Sequence, residues 1–136
     1  MSPNKQEKLF HIDYAYELFR IAEGDFKTSL SIARDPEARL ENAFFMIQQS
    51  LEKVIKAVLV KKQIAVPLVH DLGVLLAKLT PELQPPYGYE LSELNQYASI
   101  RRYEEGQFDL TVEEFEVVKT KASEMLKWGN DHINSN

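Results

Sequence analysis

Apolar residues recur every three or four positions along nearly the whole chain, which is the period of an α-helix with one face buried. Ile12, Ala15, Phe19, Ala22, Phe26, Leu30 and Ala33 form the first such stripe. Asp35-Pro36 reads as a cap followed by a proline at the first helical position, so the first helix is expected to end near Arg34. A second helix is expected from about Pro36 to Lys62, with Leu40, Phe44, Ile47, Leu51, Val54 and Val58 as its main stripe. Ala43, Met46, Ile55, Ala57 and Leu59 widen that stripe beyond half the circumference, which marks this helix as the central, most buried one. Its remaining polar positions, Gln49, Glu52, Lys53 and Lys56, fall within a sector of about 100°.

Beyond a loop from Gln63 to Val69, His70 or Asp71 caps a short helix carrying Leu72, Leu75, Leu76 and Leu79, and Thr80-Pro81 stops it. Pro85, Pro86 and Gly88 make a rigid turn. A fourth helix is expected over Glu90 to Glu104, with Leu91, Leu94 and Ala98 facing inward. The fifth opens on Thr111-Val112-Glu113-Glu114, a capping box, and carries Phe115, Val118, Ala122 and Met125; Gly129 reads as its C-terminal cap. Short connections between long amphipathic helices favour antiparallel neighbours. The pattern therefore predicts an all-α fold, an antiparallel up-and-down bundle of four to five helices. It forms one domain over residues 1–136, with a core of about 9–129 and a frayed tail at 130–136.

Length and composition bound the chemistry. The chain's 136 residues, 44% of them hydrophobic, suffice for a core without disulfides or metals. It contains no cysteine, which removes thiolate catalysis and cysteine-based zinc sites and fits a reducing cytoplasm. No apolar run approaches the ~20 residues that span a bilayer, so no membrane partner is expected. The net charge of −5 argues against broad, non-specific nucleic-acid binding but leaves room for a local basic patch. His11, His70 and His132 are never four residues apart, and no Glu-x-x-His pair occurs. A phosphate-binding glycine loop and a nucleophile elbow are also missing, so neither metal nor cofactor is expected. The acidic stretch of Glu104, Glu105, Glu113, Glu114 and Glu116 reads as solvated surface with favourable helix-start charges. His70-Asp71 reads either as a helix cap or as a site residue at a helix start, where anions bind readily.

The run from Ala43 to Leu59, with Gln48-Gln49, Glu52-Lys53 and Lys56-Ala57, resembles the signature helix of the HEPN family (higher eukaryotes and prokaryotes nucleotide-binding). The resemblance continues through Pro67, His70-Asp71-Leu72, Leu94-Asn95-Gln96-Tyr97 and Arg102-Tyr103, and Ala22-Glu23-Gly24-Asp25 fits the family's Ala-Glu-x-Asp. It implies a bundle, usually a homodimer, in a prokaryotic protein often paired with a small nucleotidyltransferase in toxin–antitoxin or defence systems. Some members cut RNA without a metal. Those carry an arginine followed, after four to six residues, by histidine; here Arg101-Arg102 is followed by Tyr103-Glu104-Glu105-Gly106-Gln107-Phe108. Val69 also stands where threonine is common before His-Asp. The expectation is a nucleotide- or RNA-binding partner module that is not itself an enzyme. Its ligand site would comprise Gln49, Lys53, Lys56, Arg102 and Tyr103, supported by Glu52, His70 and Asp71. The lysines and arginine would suit a phosphate, and Tyr103 would stack on a base or close the pocket. Glu52 and Lys56, one turn apart, could equally just pair. The rival reading is an RNA-cleaving toxin with a relocated residue such as His70 or His132. A third is an interaction protein with no small ligand.

Overall fold

Helix α1 (Tyr14–Arg34) and helix α2 (Leu40–Lys61) form the central pair of a helical bundle. The computed structural model describes residues 6–98 and 110–135. As its broad apolar stripe requires, α2 is the most buried element, with 13 of its 22 residues buried. It lies antiparallel to α1: Lys61 Nζ donates to Tyr16 Oη at one end, and the Ser50 hydroxyl donates to the Ala22 carbonyl further along. Helix α4 (Val112–Ile133) runs parallel to α2, because Phe115 packs edge-on to Phe44 near their starts and Gly129 meets Val54 near their ends. The return leg between α2 and α4 contains helix α3 (Leu72–Ala77), a 3-10 turn (Pro81–Leu83) and a longer 3-10 segment (Gly88–Ala98). This is the expected all-α, up-and-down arrangement.

Four features differ from the pattern-based expectation. The second helix starts at Leu40 rather than Pro36. Asp35 instead closes a turn, its side-chain Oδ1 accepting from Glu37 N at 2.9 Å and its carbonyl from Ala38 N at 3.1 Å. The stretch expected as plain loop after α2 contributes strand β2 (Val66–Pro67), which pairs antiparallel with strand β1 (Glu7–Lys8). Gln63, at positive φ, sets up that connection, and Ile64 N reaches back to Leu59 O at 2.9 Å in a Schellman-type close. The fourth element is 3-10 rather than α over its described part. Leu91, Leu94 and Tyr97 are all buried, and steps of three line one face when each turn holds three residues. The side chain of Ala98 and the rest of that expected helix, to Glu104, lie outside the described residues.

Gly129 is not a cap. Helix α4 continues through it to Ile133, which is fully buried, while Asn130 and Asp131 on the same turn are exposed. A Cβ at position 129 would lie 2.7 Å from Val54 Cγ1 and 3.2 Å from Phe19 Cε1. The glycine is what lets α4 press against both other long helices. At the other end of α4, Thr111 caps as expected: Glu114 N donates to its hydroxyl at 3.1 Å, and that hydroxyl faces the Glu114 carboxylate.

Candidate functional site

The polar sector of α2 sits where the return leg and the β1–β2 pair cross it. Glu52 is only 3% exposed, so its carboxylate must be paired. It takes Lys56 Nζ at 2.9 Å from one turn along the same helix. It also holds His70 Nδ1, at 3.0 and 3.1 Å from its two oxygens. The imidazole is itself well exposed, at 79% of its side-chain area. A carboxylate on Nδ1 favours the tautomer that donates from that nitrogen. Lys53, on the same sector, forms a 2.7 Å ion pair with Asp25 of α1. Gln49 donates to Gln48 Oε1 at 2.8 Å, and the buried Gln48 donates to the His70 carbonyl at 3.3 Å.

Asp71 is used by the fold. Its Oδ1 caps α3 by accepting from Gly73 N at 2.8 Å and Val74 N at 3.3 Å. Asn95 bridges from the 3-10 segment, donating to Asp71 Oδ1 at 2.9 Å and accepting from Leu72 N at 2.7 Å. Two residues further on, Tyr97 stacks tilted on Phe44 at 4.7 Å, and burial, then the charge of Glu114, pushes its hydroxyl pKa upward. The His-Asp-Leu and Leu-Asn-x-Tyr motifs are thus halves of one joint that fixes the return leg on α2. Likewise the Lys53–Asp25 pair joins the Glu-Lys motif to Ala-Glu-x-Asp.

Of the residues expected at the site, Gln49, Glu52, Lys53, Lys56 and His70 therefore share one connected patch, and Asp71 stands beside it as a cap. Arg102 and Tyr103 lie outside the described residues. Asp25 was missed as a site member, although the Ala-Glu-x-Asp motif contains it. A cavity was missed as well. About 230 Å³ opens between α1, α2 and the strand pair, with Glu52, Lys53 and Lys56 on one wall. Phe10, Tyr14 and Leu18 form the wall before and along α1, and Val66 and Leu68 close it from the strand side. The Phe10 and Tyr14 rings are neighbours, 4.9 Å between centroids. A second hollow of about 180 Å³ between α1 and α4, floored by Leu30, Leu40 and Phe115, is remote from this charged patch.

Among the described residues no cluster of three or more His, Cys, Asp or Glu could hold a metal, and no helix is long and apolar enough to cross a membrane. No curated protein and no solved structure matches the chain. A sequence model of the HEPN domain matches residues 15–132, the span that holds α1, the polar sector of α2, the α3 joint and α4. The chain belongs to the HEPN domain family.

Proposed function

We propose that this HEPN domain is a nucleotide- or RNA-binding module without catalysis of its own. In this reading it acts as a cytoplasmic homodimer beside a small nucleotidyltransferase in a prokaryotic toxin–antitoxin or defence system. Family membership implies a nucleotide- or RNA-related function. The observation that carries the reading is the cavity on the polar edge of α2, where two lysines stand opposite an aromatic wall. Its volume is below the ~300–1,000 Å³ of sites that enclose a whole small ligand. It therefore suits one part of a nucleotide, with the remainder at the surface. Arg102 and Tyr103 complete the proposed ligand set with Gln49, Lys53 and Lys56, while Glu52, His70 and Asp71 hold it in place. The missing histidine after Arg101-Arg102 supports the absence of catalysis, since the general acid/base of the RNA-cutting members has no counterpart there. The exposed aromatics Tyr14 and Tyr16 support self-association. Calorimetric titration with nucleotides and short RNAs at fixed salt tests the reading. Wild type should bind and the Lys53→Ala/Arg102→Ala variant should not; equal binding by both, or none by wild type, contradicts it.

One observation favours the rival. A histidine oriented by a buried carboxylate, as His70 is by Glu52, is a general-base arrangement. If this is an RNA-cleaving toxin, pure protein degrades RNA and His70→Ala abolishes the activity without unfolding the chain.

A further inference from the structure

A nucleic-acid backbone is held by cations that carboxylates have not already neutralised. Both lysines lining the cavity are ion-paired, Lys53 with Asp25 at 2.7 Å and Lys56 with Glu52 at 2.9 Å. Among the described residues, Lys8, Lys27, Arg34, Lys61, Lys62 and Lys127 stand in no ion pair. Lys27 and Arg34 are on the later turns of α1, and Lys127 lines a hollow together with Glu124 and Asp131. The other three share one end of the bundle. Helix α2 finishes at Lys61 with Lys62 as its cap, and the chain then turns back to Val66, whose strand partner is Lys8. The Lys8 ammonium stands over the Phe10 ring, 4.9 Å from its centroid, and Phe10 lines the cavity. Lys61 reaches Tyr16 on α1, whereas the charge of Lys62 is felt by His132 on α4. The unpaired cations therefore begin beside the cavity and continue across the end of the bundle. The described carboxylates at this end are Glu7, held by Lys78, Glu17, held by Arg20, Asp13, 3.5 Å from His11, and Asp131.

We infer that Lys8, Lys61 and Lys62 hold the sugar–phosphate backbone of a single-stranded RNA that runs from the cavity across this end of the bundle. The inference rests on the nucleotide- or RNA-binding reading and deepens it, because it makes the ligand a chain rather than a free nucleotide. Lysines in the last turn of a helix also complement its dipole, but that role asks nothing of Lys8, which is on a strand. Lys61 turns towards α1 and Lys62 towards α4, so the two ammoniums serve separate phosphates rather than converging on one. An ammonium on a flexible four-carbon stem is a point charge. It follows a backbone without reading sequence. A base that enters a cavity flat against aromatic rings must be unpaired, so the strand is single.

Titration of the full chain with a nine-nucleotide uridine RNA and with UMP, over a series of salt concentrations, tests this. Lys61→Gln/Lys62→Gln should weaken RNA binding about tenfold to a hundredfold at low salt and flatten the plot of log affinity against log salt by about 1.4, the contribution of two phosphates. Lys8→Gln should flatten it by about 0.7. Lys27→Gln/Lys127→Gln, which removes the same charge from unpaired lysines elsewhere, should leave both affinity and slope within about twofold of wild type. UMP should bind all these proteins alike. An unchanged slope in Lys61→Gln/Lys62→Gln, an equal loss in the Lys27→Gln/Lys127→Gln control, or an equal loss for UMP overturns the inference. So does capture of the chain by phosphatidylserine vesicles, through the same lysines, when RNA does not bind. If wild type and Lys61→Gln/Lys62→Gln bind RNA equally, the module reading stands and only the backbone path fails. Binding of neither RNA nor UMP overturns both.

Discussion

Alanine at position 129 probes the closest approach in the bundle. Ordinary carbon–carbon contact is about 3.5–4.0 Å, so a new Cβ 2.7 Å from Val54 Cγ1 overlaps it by roughly an ångström. Neither neighbour yields easily. Val54 is fully buried on a helix, where a β-branched side chain has one strongly preferred rotamer. Phe19, 3.2 Å away, is also buried. Two terms oppose each other: alanine in place of glycine gains about 1 kcal/mol of helix propensity, and overpacking costs about 1–3 kcal/mol. The net for Gly129→Ala is a loss of about 0–2 kcal/mol, too broad a range to be decisive alone. A double-mutant cycle with Val54→Ala separates the terms. The propensity gain is common to both backgrounds, and the clash with the valine methyl exists in only one. Gly129→Ala should therefore be stabilising, or nearly neutral, in the Val54→Ala protein, with a coupling of about 1–3 kcal/mol between the sites. Urea denaturation of the four proteins at a common m-value measures it. If Gly129→Ala stabilises both backgrounds equally, α4 does not approach α2 as described.

Leu51→Ala, at a fully buried position of α2, should cost about 2–5 kcal/mol in the same assay; a loss below about half a kcal/mol would be inconsistent with a central α2. Asp71→Ala removes the α3 cap and leaves Asn95 without its acceptor, for a loss of about 1–2 kcal/mol that Asp71→Asn should largely avoid. His132 titrates below the ordinary imidazole value of 6.5, chiefly through burial and then the Lys62 charge, against a smaller opposing pull from Asp131. Its folded form disfavours the proton. The stability this contributes is complete above pH 6.5 and is lost as pH falls from there through the lower folded value. His132→Asn should consequently lose less stability than wild type between pH 7.5 and 5.5.

The long helices were legible because each carries its own periodic stripe, and the α3 cap because Asp71 precedes a leucine-rich turn. The elements that were misread depend on partners far away in the chain. Glycine near the end of a periodic segment looks like a cap, and only the positions of Val54 and Phe19 reveal Gly129 as a packing site. The two-residue strands are too short for any alternation, and they exist because Glu7 and Lys8 meet a loop some sixty residues later. The buried face of the 3-10 segment begins with Leu91 and Leu94, whose spacing of three also fits an α-helix; buried Tyr97 distinguishes the two. At the site, the Glu52–Lys56 pair could be read from its spacing of four. That His70 shares the carboxylate could not, since it comes from another element. The aromatic wall was likewise hidden, since nothing local places Phe10, Tyr14 or Leu68 beside α2.

The most direct measurement of the central claim is an amide-resolved NMR titration of the isotopically labelled chain with mononucleotides and short single-stranded RNA. Binding at the polar edge of α2 predicts shift changes concentrated at Glu52, Lys53 and Lys56, at Phe10 and Tyr14, and at the β1–β2 pair. Saturating shifts confined to the α1–α4 hollow around Leu30 and Phe115, or no shifts with any nucleotide or RNA, would contradict it.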